Sequence, residues 1–183
     1  MKVLRKQELE TSSIQVGDQI VIQLTGFGEF TATAQKITDK GTLFLFDDCV
    51  TEQSMNKKYT NKGGYEKSDL RKWINTILLE AFPEDIRNRI SNLSIPTYGQ
   101  MFGHDDWYDR VVEPDYDEQL PLMKKRKNRI ADFNDNYEWY WMQNATKKEV
   151  SSSFFAHVYS YGLATCTTAS YSYGVRPVFW LIN

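Results

Sequence analysis

Tyr173-Gly174-Val175-Arg176-Pro177-Val178-Phe179-Trp180-Leu181-Ile182 is apolar almost throughout and interrupted by a single cation. A run of this kind, entered through a glycine turn and a proline, reads as a buried strand that closes a core. A cation inside such a strand is costly unless it is hydrogen-bonded, so Arg176 is expected to reach a carboxylate or several backbone carbonyls. A second aromatic block, Tyr137-Glu138-Trp139-Tyr140-Trp141-Met142, is the expected neighbour of this strand in a sheet.

Working outward, 183 residues suit one domain, or one domain with a small appendage, and can bury a core without staples. The 41% hydrophobic and 25% charged content places the chain among ordinary globular proteins. A formal charge of −2 gives no global field favouring nucleic acid or an anionic membrane. No apolar run approaches the roughly 20 residues of a membrane helix. The start, Met1-Lys2-Val3-Leu4-Arg5-Lys6, leads straight into polar residues and does not read as a signal peptide. Cys49 and Cys166 lie far apart without metal spacing and read as reduced thiols. The expected location is the cytoplasm, or a phage particle assembled in it.

Residues 1–50 hold a β-meander. Ile20-Val21-Ile22-Gln23-Leu24, Phe30 to Ile37 and Thr42-Leu43-Phe44-Leu45-Phe46 are joined by short glycine-bearing turns. This meander is either part of the main domain, residues 51–183, or a small appendage to it. Gly26-Phe27-Gly28 lies between strands with no helix after it, which makes it a hairpin and not a phosphate cradle. Asp47 to Tyr65 is a polar loop. Ser68 then caps a helix whose Leu70, Trp73, Ile74, Ile77 and Leu78 share one face. Pro83 opens a shorter helix, and Thr97 with Gln100 forms a capping box.

Three segments carry a family resemblance. They are Tyr65-Glu66-Lys67-Ser68-Asp69-Leu70-Arg71-Lys72-Trp73-Ile74-Asn75, Glu138-Trp139-Tyr140-Trp141 and Gly174-Val175-Arg176-Pro177-Val178-Phe179. In this order, over roughly residues 60 to 182, they resemble an uncharacterised domain family of bacteria and their phages. That family in turn is similar to the C-type-lectin-like fold, in which the chain ends pair and a long loop region carries ligand contacts. The resemblance implies an α+β class, an antiparallel sheet with two helices, and structural roles for Trp73, Trp139 and Arg176. The chain departs from the family pattern at Trp141-Met142-Gln143-Asn144-Ala145, where an arginine-serine pair is common.

From His104 to Glu118 the composition turns acidic and aromatic without a clear period, which reads as a long surface loop. Its Trp107, Tyr108 and Tyr116, beside Asp105, Asp106 and Asp109, are the candidate ligand contacts, because exposed rings beside carboxylates can stack on sugars or anchor a protein. A lectin-like fold also raises calcium, with Asp132, Asn134 and Asp135 as oxygen donors. The same Asx-rich turn lacks the glycine and the closing glutamate of an EF-hand, and such turns form for backbone reasons alone. The basic run Lys124 to Arg129 is expected to be compensated by the preceding acids rather than by nucleic acid. No nucleophile motif accompanies His104 or His157, so no enzyme is expected. Cys49 and Cys166 match no closely placed pair of the formylglycine-generating type. The expected role is non-catalytic binding of a carbohydrate or protein partner, in a prophage-encoded or phage-structural component, with no cofactor unless it is calcium. The alternatives are an assembly module making only protein contacts and, behind it, a metal-assisted hydrolase.

Overall fold

The computed structural model describes residues 14–182. Three strands form the expected meander: β1 (Gln19–Leu24), β2 (Gly28–Thr38) and β3 (Gly41–Phe46). They share a sheet with two later strands. β3 continues into a five-stranded sheet ordered β1-β2-β3-β12-β5, with β12 at Val178–Ile182 and β5 at Ile90–Ser94. β3 and β12 pair antiparallel from Leu45 opposite Val178 to Gly41 opposite Ile182. Every residue of β3 is buried, which explains its unbroken apolar reading, Leu43-Phe44-Leu45-Phe46: both faces of this strand are covered.

A second sheet is ordered β10-β9-β8-β11-β4. It contains β4 (Thr51–Ser54), β8 (Tyr140–Ala145), β9 (Phe154–Tyr159), β10 (Leu163–Thr168) and β11 (Ser172–Val175). A short hairpin, β6 (Ala131–Phe133) with β7 (Asn136–Glu138), precedes β8. The class is therefore α+β with mostly antiparallel sheets.

The C-terminal stretch is not one strand, as its apolarity suggests. Gly174 in β11 lies opposite Tyr140 of β8 in the second sheet, whereas β12 lies between β3 and β5 in the first. Arg176 and Pro177 are the crossover. Proline carries no N–H for a ladder, which suits a residue where the chain leaves one sheet for the other. The aromatic block is thus the neighbour of the first half of the stretch alone.

Two cores lie on the two faces of β3. Phe44, Phe46 and Phe179 meet Phe82, Leu70, Ile74 and Leu78 on one side, together with Trp141 and Phe155 of the second sheet. Leu43, Leu45 and Val178 meet Tyr98, Met101, Tyr140 and Val158 on the other. Phe179 stacks on Phe44 at 5.7 Å and receives Phe82 edge-on at 5.6 Å. Removing each such ring from water contributes roughly 2–3 kcal/mol. The helix that delivers Leu70 begins as read: the Ser68 hydroxyl accepts the Arg71 N–H at 3.0 Å and starts α1 (Asp69–Trp73). A π-helical stretch, Ile74–Leu78, links it to α2 (Leu79–Ala81). α3 (Glu84–Arg87) follows Pro83. Trp73 receives Phe27 of the β1–β2 turn edge-on at 5.9 Å, fixing the helix to the meander.

Candidate functional site

α4 (Tyr98–Phe102) starts at the capping box read from sequence, with Thr97 and Gln100 reciprocally bonded. The segment after it contains α5 (Asp106–Val111), so His104 to Glu118 is not a continuous loop. Asp105 is the N-cap of α5 and accepts the Tyr108 N–H at 2.9 Å. Its carboxylate also takes the Tyr98 hydroxyl, at 3.0 and 3.1 Å to its two oxygens. Burial, and then the Asp105 carboxylate, push the Tyr98 phenol well above its ordinary range.

This arrangement redistributes the proposed ligand contacts. Tyr108 is buried at 6% exposure, because its ring packs on Tyr98 and its hydroxyl accepts the Asp115 N–H at 2.8 Å. Trp107 is half-buried and stacked on Tyr98, with centroids 5.1 Å apart. Tyr116 is exposed at 83%, with φ of 65°. Asp106 and Asp109 are exposed on α5. The three rings therefore do not form one face. Two of them hold α5 on α4, and only Tyr116 is free in solvent.

A groove with a volume of about 1010 Å³ lies beside this helix pair. One wall is the loop from Tyr59 to Glu66, the opposite wall is Glu113 to Asp117, and between them lie Thr97, Gln100 and the Gln143–Thr146 end of β8. Asn61 anchors the first wall, donating to the carbonyls of Thr146, Ser151 and Phe154 at 3.0–3.2 Å. Asn144 anchors the second. Its Oδ1 accepts the Tyr98 N–H at 2.7 Å, and its Nδ2 donates to the Glu113 carbonyl at 2.9 Å and to Asp115 at 2.8 Å. Asp115 also accepts the N–H groups of Gly99 at 2.9 Å and Asp117 at 2.8 Å. Asp117 in turn accepts the Thr97 hydroxyl at 2.8 Å. Gly99 is required here, since a Cβ would sit 2.3 Å from the Asp115 carboxylate and 2.5 Å from the Asp117 carbonyl.

The floor and walls are thus rigidly hydrogen-bonded, while groups of the rim remain available. Tyr59 is 74% exposed, and the Glu113 and Lys148 side chains are exposed with no partner among the described residues. Asp115 and Asp117 are groove residues that flank the exposed Tyr116 in the chain. Sequence reasoning missed Tyr59, Glu113, Gln143 and Asn144. The only signal was the family departure at Gln143-Asn144, where polar amides stand in an otherwise apolar strand.

The remaining candidates fall outside the groove. Asn134 and Asp135 adopt φ of 52° and 62°, the left-handed pair that a two-residue hairpin demands, and Asp132 lies in β6. Among the described residues, no group of three His, Cys, Asp or Glu side chains converges as a metal site would. Of the basic run, Arg129 is buried, donating to the Met123 and Gly162 carbonyls and lying 4.7 Å from the Phe102 ring centroid. The acidic segment does not compensate this run by direct contact: no ion pair joins the two among the described residues. Arg176, 3% exposed, reaches the Phe46 and Asn128 carbonyls at 2.7 and 3.2 Å, the carbonyl alternative of the sequence reading. Trp139, 40% exposed, covers His157 in a parallel stack at 5.4 Å, and its carbonyl accepts the Gly174 N–H at 2.7 Å.

No described helix is long and apolar enough to cross a membrane. Neither the curated proteins nor the solved structures give a match to the chain. A family profile does match, over residues 40–182, which takes in β3 and the described elements after it but leaves β1 and β2 outside. The chain belongs to that family, a domain of unknown function designated DUF6273.

Proposed function

We propose that this chain is a non-catalytic binding module of C-type-lectin-like architecture that takes a carbohydrate in the groove between Tyr59–Glu66 and Glu113–Asp117. The observation that carries this reading is the lining. Amide, hydroxyl and carboxylate groups from Asn92, Thr97, Gln100, Glu113 and Gln143 share the groove with the rings of Tyr59 and Trp180. Sugars present hydroxyls at their edges and C–H groups on their faces, so planar polar side chains beside aromatic rings match both. The walls are fixed before any ligand arrives, by Asn61 and Asn144, which lowers the ordering cost of binding.

The lectin-like comparison is supported by the pairing of β12 with β3, which brings the end of the chain into the sheet that its early strands begin. It is supported also by the long excursion between β5 and β12, which supplies four of the five strands of the second sheet and one groove wall. A bacterial or phage-particle setting rests on the family resemblance of the three motifs alone.

Binding to a glycan array, followed by titration of the best hit, tests the reading. Tyr59→Ala and Glu113→Ala, both at exposed rim positions, are each expected to weaken binding by roughly tenfold or more without lowering the melting temperature. An array without hits, or a hit unaffected by both substitutions, overturns it.

A further inference from the structure

We infer that β10 (Leu163–Thr168) is a self-association edge, along which a second copy of this chain extends the second sheet by pairing its own β10 antiparallel. The sheet order places β10 at the edge, hydrogen-bonded across its length to β9 alone. Outside that pairing, its backbone accepts one bond among the described residues, from the Tyr171 N–H to the Thr168 carbonyl. An edge strand presents its alternate N–H and C=O groups outward, and these pair with any strand that fits.

Natural sheets block such pairing with charges, proline, bulges or brevity. Two of the other three edges of the five-stranded sheets show these devices. β4 has four residues, one of them Glu52, and β5 carries Asn92 at φ 53° opposite a register shift in β12. β10, reading Leu-Ala-Thr-Cys-Thr-Thr, has none: no charge, no proline and an unshifted register with β9 over all six residues. β1 is uncharged as well, but its exposed positions are Gln19, Val21 and Gln23, one apolar residue between two amides. β10 instead adjoins an exposed apolar surface, with Leu163 at 39%, Tyr161 at 66% and Trp139 at 40% exposure.

The occupant follows from the same composition. In a two-fold antiparallel pair each residue of β10 faces a residue of the same strand, so a charged edge would repel itself and this one does not. Thr165 and Thr167 share one face of the strand, and threonines set across an antiparallel pair are favourable neighbours. The contact buries Leu163 of each copy against its partner and joins two five-stranded sheets into one. It leaves the groove free, because no β10 residue lines it.

Sedimentation of the full chain across a broad concentration series tests this, with circular dichroism to confirm that each variant is folded. The wild type is expected to form a dimer. Thr165→Lys and Thr167→Lys are expected to weaken self-association by roughly tenfold or more. Val21→Lys, on the β1 edge, is expected to leave it unchanged. A wild type that stays monomeric throughout overturns the inference, as does a dimer that survives both β10 lysines or is dissolved by Val21→Lys.

Discussion

Nη1 of Arg176 lies 3.0 Å from the hydroxyl of Tyr140, and that hydroxyl donates onward to the Arg129 carbonyl at 2.6 Å. The relay sits where the C-terminal stretch leaves the second sheet for the first, so it ties β8, the basic segment and β12 together. Arg176 is held by carbonyls and a phenol rather than by a carboxylate. Its removal leaves the Phe46 and Asn128 carbonyls without this donor and opens a cavity between the sheets. Arg176→Ala should therefore destabilise by roughly 3 kcal/mol or more in urea denaturation. A change below about 0.5 kcal/mol, the scale of a surface substitution, would show that the crossover does not depend on it.

Tyr140 is the second half of the relay. Burial raises its phenol to about 12 against the lowering effect of Arg176, so the hydroxyl keeps its proton and can donate to Arg129. Tyr140→Phe removes the donor and the acceptor together at almost constant volume. A loss of roughly 1–2 kcal/mol is expected, and the double variant with Arg176→Ala should lose less than the sum of the two singles. Additive losses would mean that the two side chains stabilise the crossover independently.

The fold was more legible than the site, for reasons visible in particular residues. The meander showed its alternation and its turns, and Ser68 and Thr97 announced their helices because capping is a local interaction. The crossover at Arg176-Pro177 was hidden, since apolarity along a strand does not say which sheet receives it. α5 was hidden too: six residues of mixed acidic and aromatic character acquire their helix from Asp105 as cap and from Tyr98 as packing partner. The groove could not be read at all. Its walls are more than forty residues apart in the chain and are fixed by long-range contacts, among them the side-chain amides of Asn61 and Asn144 and the Glu113 N–H to the Ala145 carbonyl.

His157 is 1% exposed between Trp139 and Tyr173, and neither ring nitrogen has a hydrogen-bond partner. Burial lowers its pKa from the ordinary 6.5 to about 4. The unfolded chain therefore takes up a proton that the folded chain refuses. The contribution to stability is complete above pH 6.5 and is lost as the pH falls from there toward 4. The full displacement corresponds to roughly 3 kcal/mol. His157→Leu should flatten this dependence, so that the wild type loses stability relative to the variant on acidification. Parallel pH profiles for the two proteins would contradict it.

Gly174 stands where β11 approaches β8. A Cβ there would lie 2.5 Å from the Cys49 sulfur, 2.8 Å from Glu138 Cγ and 3.0 Å from the Trp139 carbonyl. Cys49 cannot swing aside into solvent, as it is fully enclosed; burial pushes its thiol far above the usual range. Gly174→Ala should cost roughly 1–3 kcal/mol through overpacking. Cys49→Ala introduced with it should recover part of that loss, since it removes the nearest obstacle. No recovery in thermal unfolding would place the strain on the contacts with Glu138 and the Trp139 carbonyl instead.

The Asp115 carboxylate holds the groove wall purely as an acceptor. One of its oxygens takes the Asp117 N–H, and the other takes the Gly99 N–H and the Asn144 amide. Asparagine cannot replace it, because whichever way the amide turns, its NH2 faces a donor. Asp115→Asn is expected to destabilise by roughly 1–3 kcal/mol and to loosen the hold of Glu113–Asp117 on β8. Hydrogen exchange should then rise at Gly99 and Asp117, while Glu113→Gln, whose side chain makes no contact in the network, should leave exchange there unchanged. If Asp115→Asn matches the wild type in both stability and exchange, the wall is held by the Asn144 bonds to Tyr98 and Glu113, and Asn144→Ala becomes the substitution that opens the groove.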